Sequence, residues 1–382
     1  MKSSNTKQYY WDIGPILSKH ALWNWVIGER SNGKTTGVQR HGLKRYLEKG
    51  YQMAVIRRFR EDFRGGKRGA AMFDSLECNG YGENEIRQMT NGKYDTIYYY
   101  ASKWYLAKYD KTLDKKIPAP QPFAIGFALT EMEHDKSVSW PFIRTCVMDE
   151  ALSRNPLPNE FTLLTNVLST IIRDRGPEDG IEIWLLGNTV NKYSPIFTEM
   201  GISEYVPKMK PGDINIFKYK GSKLTVAVEY CASAAATGGK KSDVFFAFNT
   251  AATRMITSGA WEIPSYPHNQ IDYGPKDIKF IYFIRWEYHI LQCEIVKKDN
   301  CLFTFIHKKT TDIKDEAKDI IFEKEHHQQM NYYRNIAKPT NNFTRKIWWF
   351  FQSDNVYYQD NEIGELVNNY LQWCTSDSII TR

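Results

Sequence analysis

Cysteine is scarce in this sequence. The six residues Cys78, Cys146, Cys231, Cys293, Cys301 and Cys374 form no CxxC pair and have no histidine at zinc spacing. They read as reduced, mostly packed thiols of an intracellular protein rather than a disulfide scaffold or a zinc module. His326-His327 lies in a charged run and reads as surface, not as a metal site. No apolar run reaches the ~20 residues a membrane helix needs, no signal peptide is visible, and no internal repeat recurs. A soluble, cytoplasmic protein without a membrane partner is expected.

Aromatic residues, by contrast, make up 14% of the chain, which argues against disorder. Its 382 residues suffice for two domains and a sizeable core. The net charge of +7 is unevenly spread: residues 1–70 hold 15 Lys/Arg against 5 Asp/Glu. Such a basic segment is either a solvated face or a contact for a polyanion.

The chain is organised around Val26 to Thr36, VIGERSNGKTT, which fits G-x-x-x-x-G-K-[ST] at every required position. An apolar run, Leu22 to Ile27, precedes it as a buried strand. A stretch that can be helical follows to Lys49 and is closed by Gly50. Gly28 and Gly33 allow consecutive N–H groups of the loop, Arg30, Ser31 and Asn32 included, to turn toward phosphate oxygens. The following helix adds partial positive charge at its start. Lys34 is placed to reach the β- and γ-phosphates of ATP, Thr35 to offer a hydroxyl to Mg²⁺, and Thr36 to line the same site.

A second apolar run, Phe142 to Met148, ends in Asp149-Glu150. In P-loop proteins of the ATPase type this is the second phosphate-site strand. Asp149 then holds Mg²⁺ and Glu150 polarises the attacking water as general base. Pro158 to Arg173 has a helical apolar period that stops at Gly176-Pro177. Ile181 to Leu186 is a further strand, and Asn188 just past it is placed to sense the γ-phosphate. Gln52 to Arg58 and Phe123 to Thr130 complete a set of strands alternating with helices, the pattern of a parallel α/β sheet. Between them Phe59 to Gly69 reads as a mobile, basic, glycine-rich loop, and Tyr94 to Tyr109 as strand and turn with lysines among the aromatics.

From about Glu204 the texture changes. Residues 206–265 read as a linker or lid subdomain, rich in Pro, Gly and Lys and then in small residues. Beyond it, strands are predicted over 278–286, 289–296 and 301–307. A charged helix is predicted at about 312–337, then an aromatic stretch at 347–351 and a closing helix at about 361–373. The predicted divisions are thus 1–205, 206–265 and 266–382, the last an α+β domain.

VIGERSNGKTT, AVIRRF, VMDE, IIRDR and LLGN, in that order and spacing, resemble the DNA-packaging ATPases of small short-tailed bacteriophages with protein-primed genomes. The resemblance covers most of the chain. It implies an ASCE-type P-loop ATPase domain followed by a small RNase-H-like domain. It implies a ring of identical subunits, usually five, seated on the portal of an empty capsid in the host cytoplasm and driving duplex DNA through the ring. Arg173 stands where the family has a finger acting on the neighbour's ATP. Lys136 matches a second basic interface residue, and Arg30 an arginine of related motors. Arg60, Arg64, Lys67 and Arg68, on the basic loop, are expected to grip DNA phosphates. A structural RNA serves only part of the group and is left open. Larger motors cut DNA with clustered carboxylates, whereas strand 278–286 has no Asp or Glu. Glu287 follows it, and Asp312, Asp315, Glu316 and Asp319 have the spacing of a solvated helix face. A non-cutting, docking domain is expected. The rival readings are a nucleotide-metabolising P-loop enzyme and a nucleic-acid-binding module with a decayed nucleotide site.

Overall fold

The computed structural model describes residues 11–30, 32–64, 66–79, 82–131, 138–190, 192–231, 261 and 263–380. Ser31 and Lys136 fall outside these residues, as does the whole small-residue stretch Ala232 to Lys241. The chain divides into two units, residues 1–190 with 209–261, and residues 191–208 with 262–382.

The first unit is built on one large sheet. Its strands are β1 (Trp23–Gly28), β2 (Gln52–Arg57), β3 (Thr96–Tyr100), β4 (Lys103–Asp110), β5 (Lys115–Pro118), β6 (Ala124–Ala128), β7 (Ile143–Met148), β8 (Glu182–Asn188), β9 (Ile214–Lys218) and β10 (Thr225–Tyr230). They lie in the order β3-β4-β6-β2-β7-β8-β1-β10-β9, with β5 beside β4. The six central strands, β6 to β10 in that order, are mutually parallel. Their near-continuous apolar sequences follow from this, because a parallel strand is covered on both faces; every residue of β1 is buried.

The helix Lys34–Lys49 begins after Gly33 (φ 88°) and ends at Gly50 (φ 70°), whose N–H bonds the Tyr46 carbonyl. Both glycines occupy the left-handed region that other residues resist. This helix packs on β2 and β8, and the helix Glu160–Ile172 packs on β7. Val26, Val38, Leu43, Met53, Trp104 and Trp184 are among the core residues.

The second unit carries β11 (Ile278–Trp286), β12 (His289–Lys298), β13 (Cys301–Lys309), β14 (Ile320–Glu323), β15 (Tyr332–Tyr333) and β16 (Val356–Tyr358), in the order β15-β14-β11-β12-β13-β16. β11, β12 and β13 form an antiparallel meander, while β14 runs parallel to β11 and β15 parallel to β14. The helices Asn342–Gln352 and Asn361–Ile380 bring Ile347, Phe350, Val367 and Tyr370 onto Tyr282, Ile284 and Trp286.

Three expectations need correction. Residues 206–265 are not one separate linker: β10 pairs in parallel with β1, β9 pairs with β10, and residues 191–208 belong to the second unit. The six residues Thr225–Tyr230 are apolar enough to extend the sheet, and the turns around them hid the strand. No helix spans 312–337. Ile320, Ile321 and Phe322 instead enter the sheet between β11 and β15, because three consecutive apolar residues suit a strand covered on both faces. Asp315, Glu316 and Asp319 thus lie in the turns before β14 rather than on a helix face. The segment Phe59 to Gly69 is not an unstructured loop. Arg60–Asp62 is a 3₁₀ turn and Gly66–Ala71 a short helix. Gly69 abuts the Tyr99 ring so closely that a Cβ there would lie 2.2 Å from it, and its carbonyl accepts the Trp104 indole N–H at 2.7 Å.

Candidate nucleotide site

The site lies at the tips of β1, β8 and β7. Strand β8 lies between the other two, so the loop after β1 and the carboxylates after β7 are not on neighbouring strands. Gly28 and Asn188 are register partners at the ends of β1 and β8. A cleft of about 220 Å³ opens there, lined by Arg30, Asn32, Gly33, Lys34, Thr35 and Thr36, by Asp149 and Glu150, and by Asn188.

Lys34 is buried, and its Nζ donates to the Glu29 carbonyl at 2.6 Å, the Gly28 carbonyl at 3.4 Å, Asn32 Oδ1 at 3.1 Å and Asn188 Oδ1 at 3.4 Å. Burial pulls its pKa below the ordinary lysine value, opposed by Cys231, Asp149 and Glu29. A cation held under loop carbonyls in this way is ready to exchange those weak acceptors for phosphate oxygens. Asn32 Nδ2 is buried and has no oxygen acceptor among the described residues, only the weakly accepting Cys231 thiol beside it, so a second donor of the loop is suited to a stronger acceptor. Gly28 is required by space: a Cβ there would lie 2.9 Å from Cys231 Cβ.

The Thr35 hydroxyl donates to both oxygens of Asp149, at 3.3 and 3.2 Å. A hydroxyl and a carboxylate converging beside a phosphate-type loop are the hard oxygen donors that Mg²⁺ takes. Thr36 lines the cleft, but its hydroxyl donates to Ser75 Oγ at 3.1 Å, so its side chain faces the short helix Asp74–Glu77.

Glu150 has φ 58°, the left-handed region, in which a non-glycine residue carries about 1–3 kcal/mol of strain. Its side chain is 70% exposed at the cleft. The turn is pinned from several sides. Glu150 N–H bonds Asp149 Oδ1 at 2.9 Å, Ala151 N–H bonds the Leu186 carbonyl at 2.7 Å, and Arg58 donates to the carbonyls of Glu150 at 2.6 Å and Ala151 at 3.1 Å. Arg58 is itself held by Glu160 at 2.7 and 2.6 Å. A charge-assisted bond of about 1.5–3 kcal/mol is enough to offset the strain. Arg57 lies beside both carboxylates, 3.3 Å from Glu150 and 3.5 Å from Asp149. Sequence reasoning left Arg57 and Arg58 out of the site. The signal for them was two arginines at the end of a strand that adjoins the Asp-Glu strand.

Trp11 braces the other side of the loop. Its N–H bonds the Asn32 carbonyl at 2.8 Å, its indole lies against Gly37, and its Nε1 donates to Glu229 at 2.9 Å. Glu229 stands opposite Val26 on β10. Burial pushes its pKa up to about 7, eased by the Trp11 bond and reinforced by Asp12.

Of the other expected residues, Arg173, Arg60, Arg64 and Arg68 do not line the cleft. Arg173 caps the Glu160–Ile172 helix with φ 52° and ψ −124°, is exposed, and donates to the Val138 carbonyl at 2.8 Å. Arg60 pairs with Glu131 at 2.8 Å and Arg64 with Glu61 at 3.4 Å. Arg68 is exposed on the short helix that also contains Lys67.

In fold the chain is similar to solved phage DNA packaging motors. The chain has a TM-score of 0.52 to a phi28 gp11 DNA packaging motor, at 18% identity over 96% of this chain and 98% of that one. To the bacteriophage phi29 viral genome packaging motor assembly the TM-score is 0.50, at 16% identity over 98% and 99%. At these identities the likeness establishes a shared fold. In sequence the chain is 25% identical over 191 residues to the DNA packaging protein of Bacillus phage B103, covering 49% of this chain and 50% of the relative. It is 23% identical over 196 residues to that of Bacillus phage phi29, half of each chain. The chain therefore spans about half the length of the curated relatives it matches. No family model matches.

Proposed function

We propose that this chain is the ATPase of a viral genome-packaging motor, hydrolysing ATP with Mg²⁺ to drive double-stranded DNA into a preformed capsid. The observation that carries this is the meeting of Lys34, Thr35, Asp149, Glu150 and Asn188 in one cleft, with β8 between the two phosphate-site strands. An added strand at that place is the mark of the ASCE class. The names of the curated relatives and the shared motor fold support the same reading.

In this reading the loop N–H groups and Lys34 hold the β- and γ-phosphates, and Asn188 senses the γ-phosphate. Thr35 and Asp149 would hold Mg²⁺, which would supply charge neutralisation. Glu150 orients the water and takes its proton, while Arg57 and Arg58 hold the carboxylate turn. Arg173, exposed and outside its own cleft, acts on the ATP of the neighbouring copy in a ring of five, with Lys136 at the same interface. Arg30 lies at the rim of the phosphate loop. Arg60, Arg64, Lys67 and Arg68 grip DNA phosphates. The order β13-β12-β11-β14-β15, with the last two parallel to β11, supports an RNase-H-like second domain. There Arg285 faces Glu323 in register and pairs with it at 2.8 Å and with Glu316 at 2.5 Å. Carboxylates committed to a guanidinium do not form an open metal site, and the domain serves docking on the portal at the capsid vertex. A structural RNA is the further partner to be tested there.

The test is ATP turnover of the full chain with and without duplex DNA and empty capsids. DNA and capsids should raise the rate. Glu150→Gln should keep ATP binding and lower turnover about 10²–10⁴-fold, and Lys34→Ala should lose binding as well. Turnover indifferent to capsids and DNA, or undiminished in Glu150→Gln, would sink the proposal.

A further inference from the structure

The arginines at the end of the Glu160–Ile172 helix have different surroundings. Arg173 is exposed in a backbone conformation that persists only when neighbouring structure fixes it. Arg175, two residues on, is half-buried. Its Nε donates to the Ile172 carbonyl at 2.9 Å. One terminal nitrogen donates to the carbonyls of Pro141 at 3.0 Å and Ile143 at 2.8 Å. The other donates to those of Trp140 at 3.0 Å and Ile171. All five N–H groups of the guanidinium are thus spent on backbone carbonyls.

The two sets of acceptors come from different elements. Ile171 and Ile172 are the last residues of the helix, where carbonyls have no partner inside the helix. Trp140 and Pro141 form the approach to β7, the strand that leads to Asp149 and Glu150, and Ile143 is its first residue. Arg173 reaches the same approach at Val138. Its neighbour Arg175 therefore fastens both sides of the turn from which Arg173 projects. The carbonyls of Pro141 and Ile143 also accept from Arg144, at 2.6 and 3.1 Å, so the approach keeps a second clamp without Arg175.

We propose that Arg175 is the positioning residue for Arg173: its guanidinium fixes the angle at which Arg173 leaves the subunit toward the neighbouring site. The proposal rests on the reading of Arg173 as a residue acting across the ring. It makes Arg175 an unsuitable finger in its own right, because a residue with every donor engaged has none to offer a phosphoryl group.

The experiment uses full-length protein in capsid-bound rings with duplex DNA. Arg175→Ala should bind ATP within about twofold of the parent. Its assembled ATPase should fall about a hundredfold, the scale of a misplaced catalytic group. The double variant with Arg173→Ala should be no lower than Arg173→Ala alone, since both changes disable one device. Mixing Arg175→Ala with Glu150→Gln should restore activity, because an intact base on one subunit meets an intact, well-placed arginine on the next. Arg175→Lys, which keeps the stem and one donor group, should show the same pattern and covers the case in which alanine does not fold. If Arg173→Ala is rescued by Glu150→Gln but neither Arg175 variant is, Arg175 supports its own subunit's site and the positioning role is wrong. Full assembled activity in Arg173→Ala would overturn the trans reading, and the positioning role with it.

Discussion

Arg57 spans the two carboxylates at the end of β7, with its guanidinium 3.3 Å from Glu150 and 3.5 Å from Asp149. A single fixed cation thus serves two neighbouring anions that the proposed chemistry gives different roles.

Removing it leaves like charges side by side and Glu150 without a partner to set its pose. Arg57→Ala is expected to lower kcat about 10–100-fold while ATP affinity changes little. Arg57→Lys should recover only part, because an ammonium lacks the fork that reaches both groups. An unchanged kcat would mean that Arg57 only packs.

Glu229 sets a pH dependence of stability. Its folded pKa of about 7 lies above the ordinary 4.5, so the folded state holds this proton more tightly than the unfolded chain. Stability is therefore lost as pH rises from about 4.5 through 7, and the loss is complete above. Glu229→Gln should stabilise the protein at pH 8 by about 1–3 kcal/mol and have almost no effect at pH 4.5. Denaturant melts at the two pH values check this, and parallel shifts at both would refute it.

The basic segment makes a salt prediction. Replacing Arg60, Arg64, Lys67 and Arg68 by alanine should shallow the log affinity–log salt slope for DNA by up to about four units. The pairs of Arg60 with Glu131 and Arg64 with Glu61 are exposed and weak, so phosphate should displace the carboxylates. Glu131→Gln should accordingly tighten DNA binding. A quadruple variant with an unaltered slope would place the grip elsewhere.

The second unit should not cut DNA. With Mg²⁺ or Mn²⁺, neither linear nor supercoiled DNA is expected to be cleaved, since two-metal chemistry needs convergent, uncommitted carboxylates. Cleavage that disappears in Glu287→Ala would contradict the non-cutting reading of this unit.

The central sheet was legible because its strands are covered on both faces, so that Trp23–Gly28, Ile143–Met148 and Glu182–Asn188 read as apolar runs without any partner in view. The Lys34–Lys49 helix was legible because glycines mark both ends. β9 and β10 were not, since turn-rich flanks outweighed strands of only five and six residues. The region 312–337 misled because its charges have helical spacing, while Ile320, Ile321 and Phe322 decide its placement through burial. Lys34, Thr35, Asp149 and Glu150 were readable from motifs. Arg57, Arg58 and Trp11 were not, because their partners Glu150, Glu160 and Glu229 lie far away in sequence.

The place of β8 also has a mechanical consequence. Neighbouring strands lie about 4.8 Å apart, so β1 and β7 stand about 10 Å apart across the sheet. The side chains nevertheless meet across the tip of β8, where the Thr35 hydroxyl reaches Asp149 at 3.2 Å and Lys34 reaches Asn188 at 3.4 Å. The next strand beyond β7 is β2, and the chain leaving β2 runs directly into Arg60–Asp62. In the proposed reading the carboxylates after β7 and the basic segment after β2 therefore sit at the ends of two paired strands, the shortest covalent and hydrogen-bonded route between nucleotide and DNA.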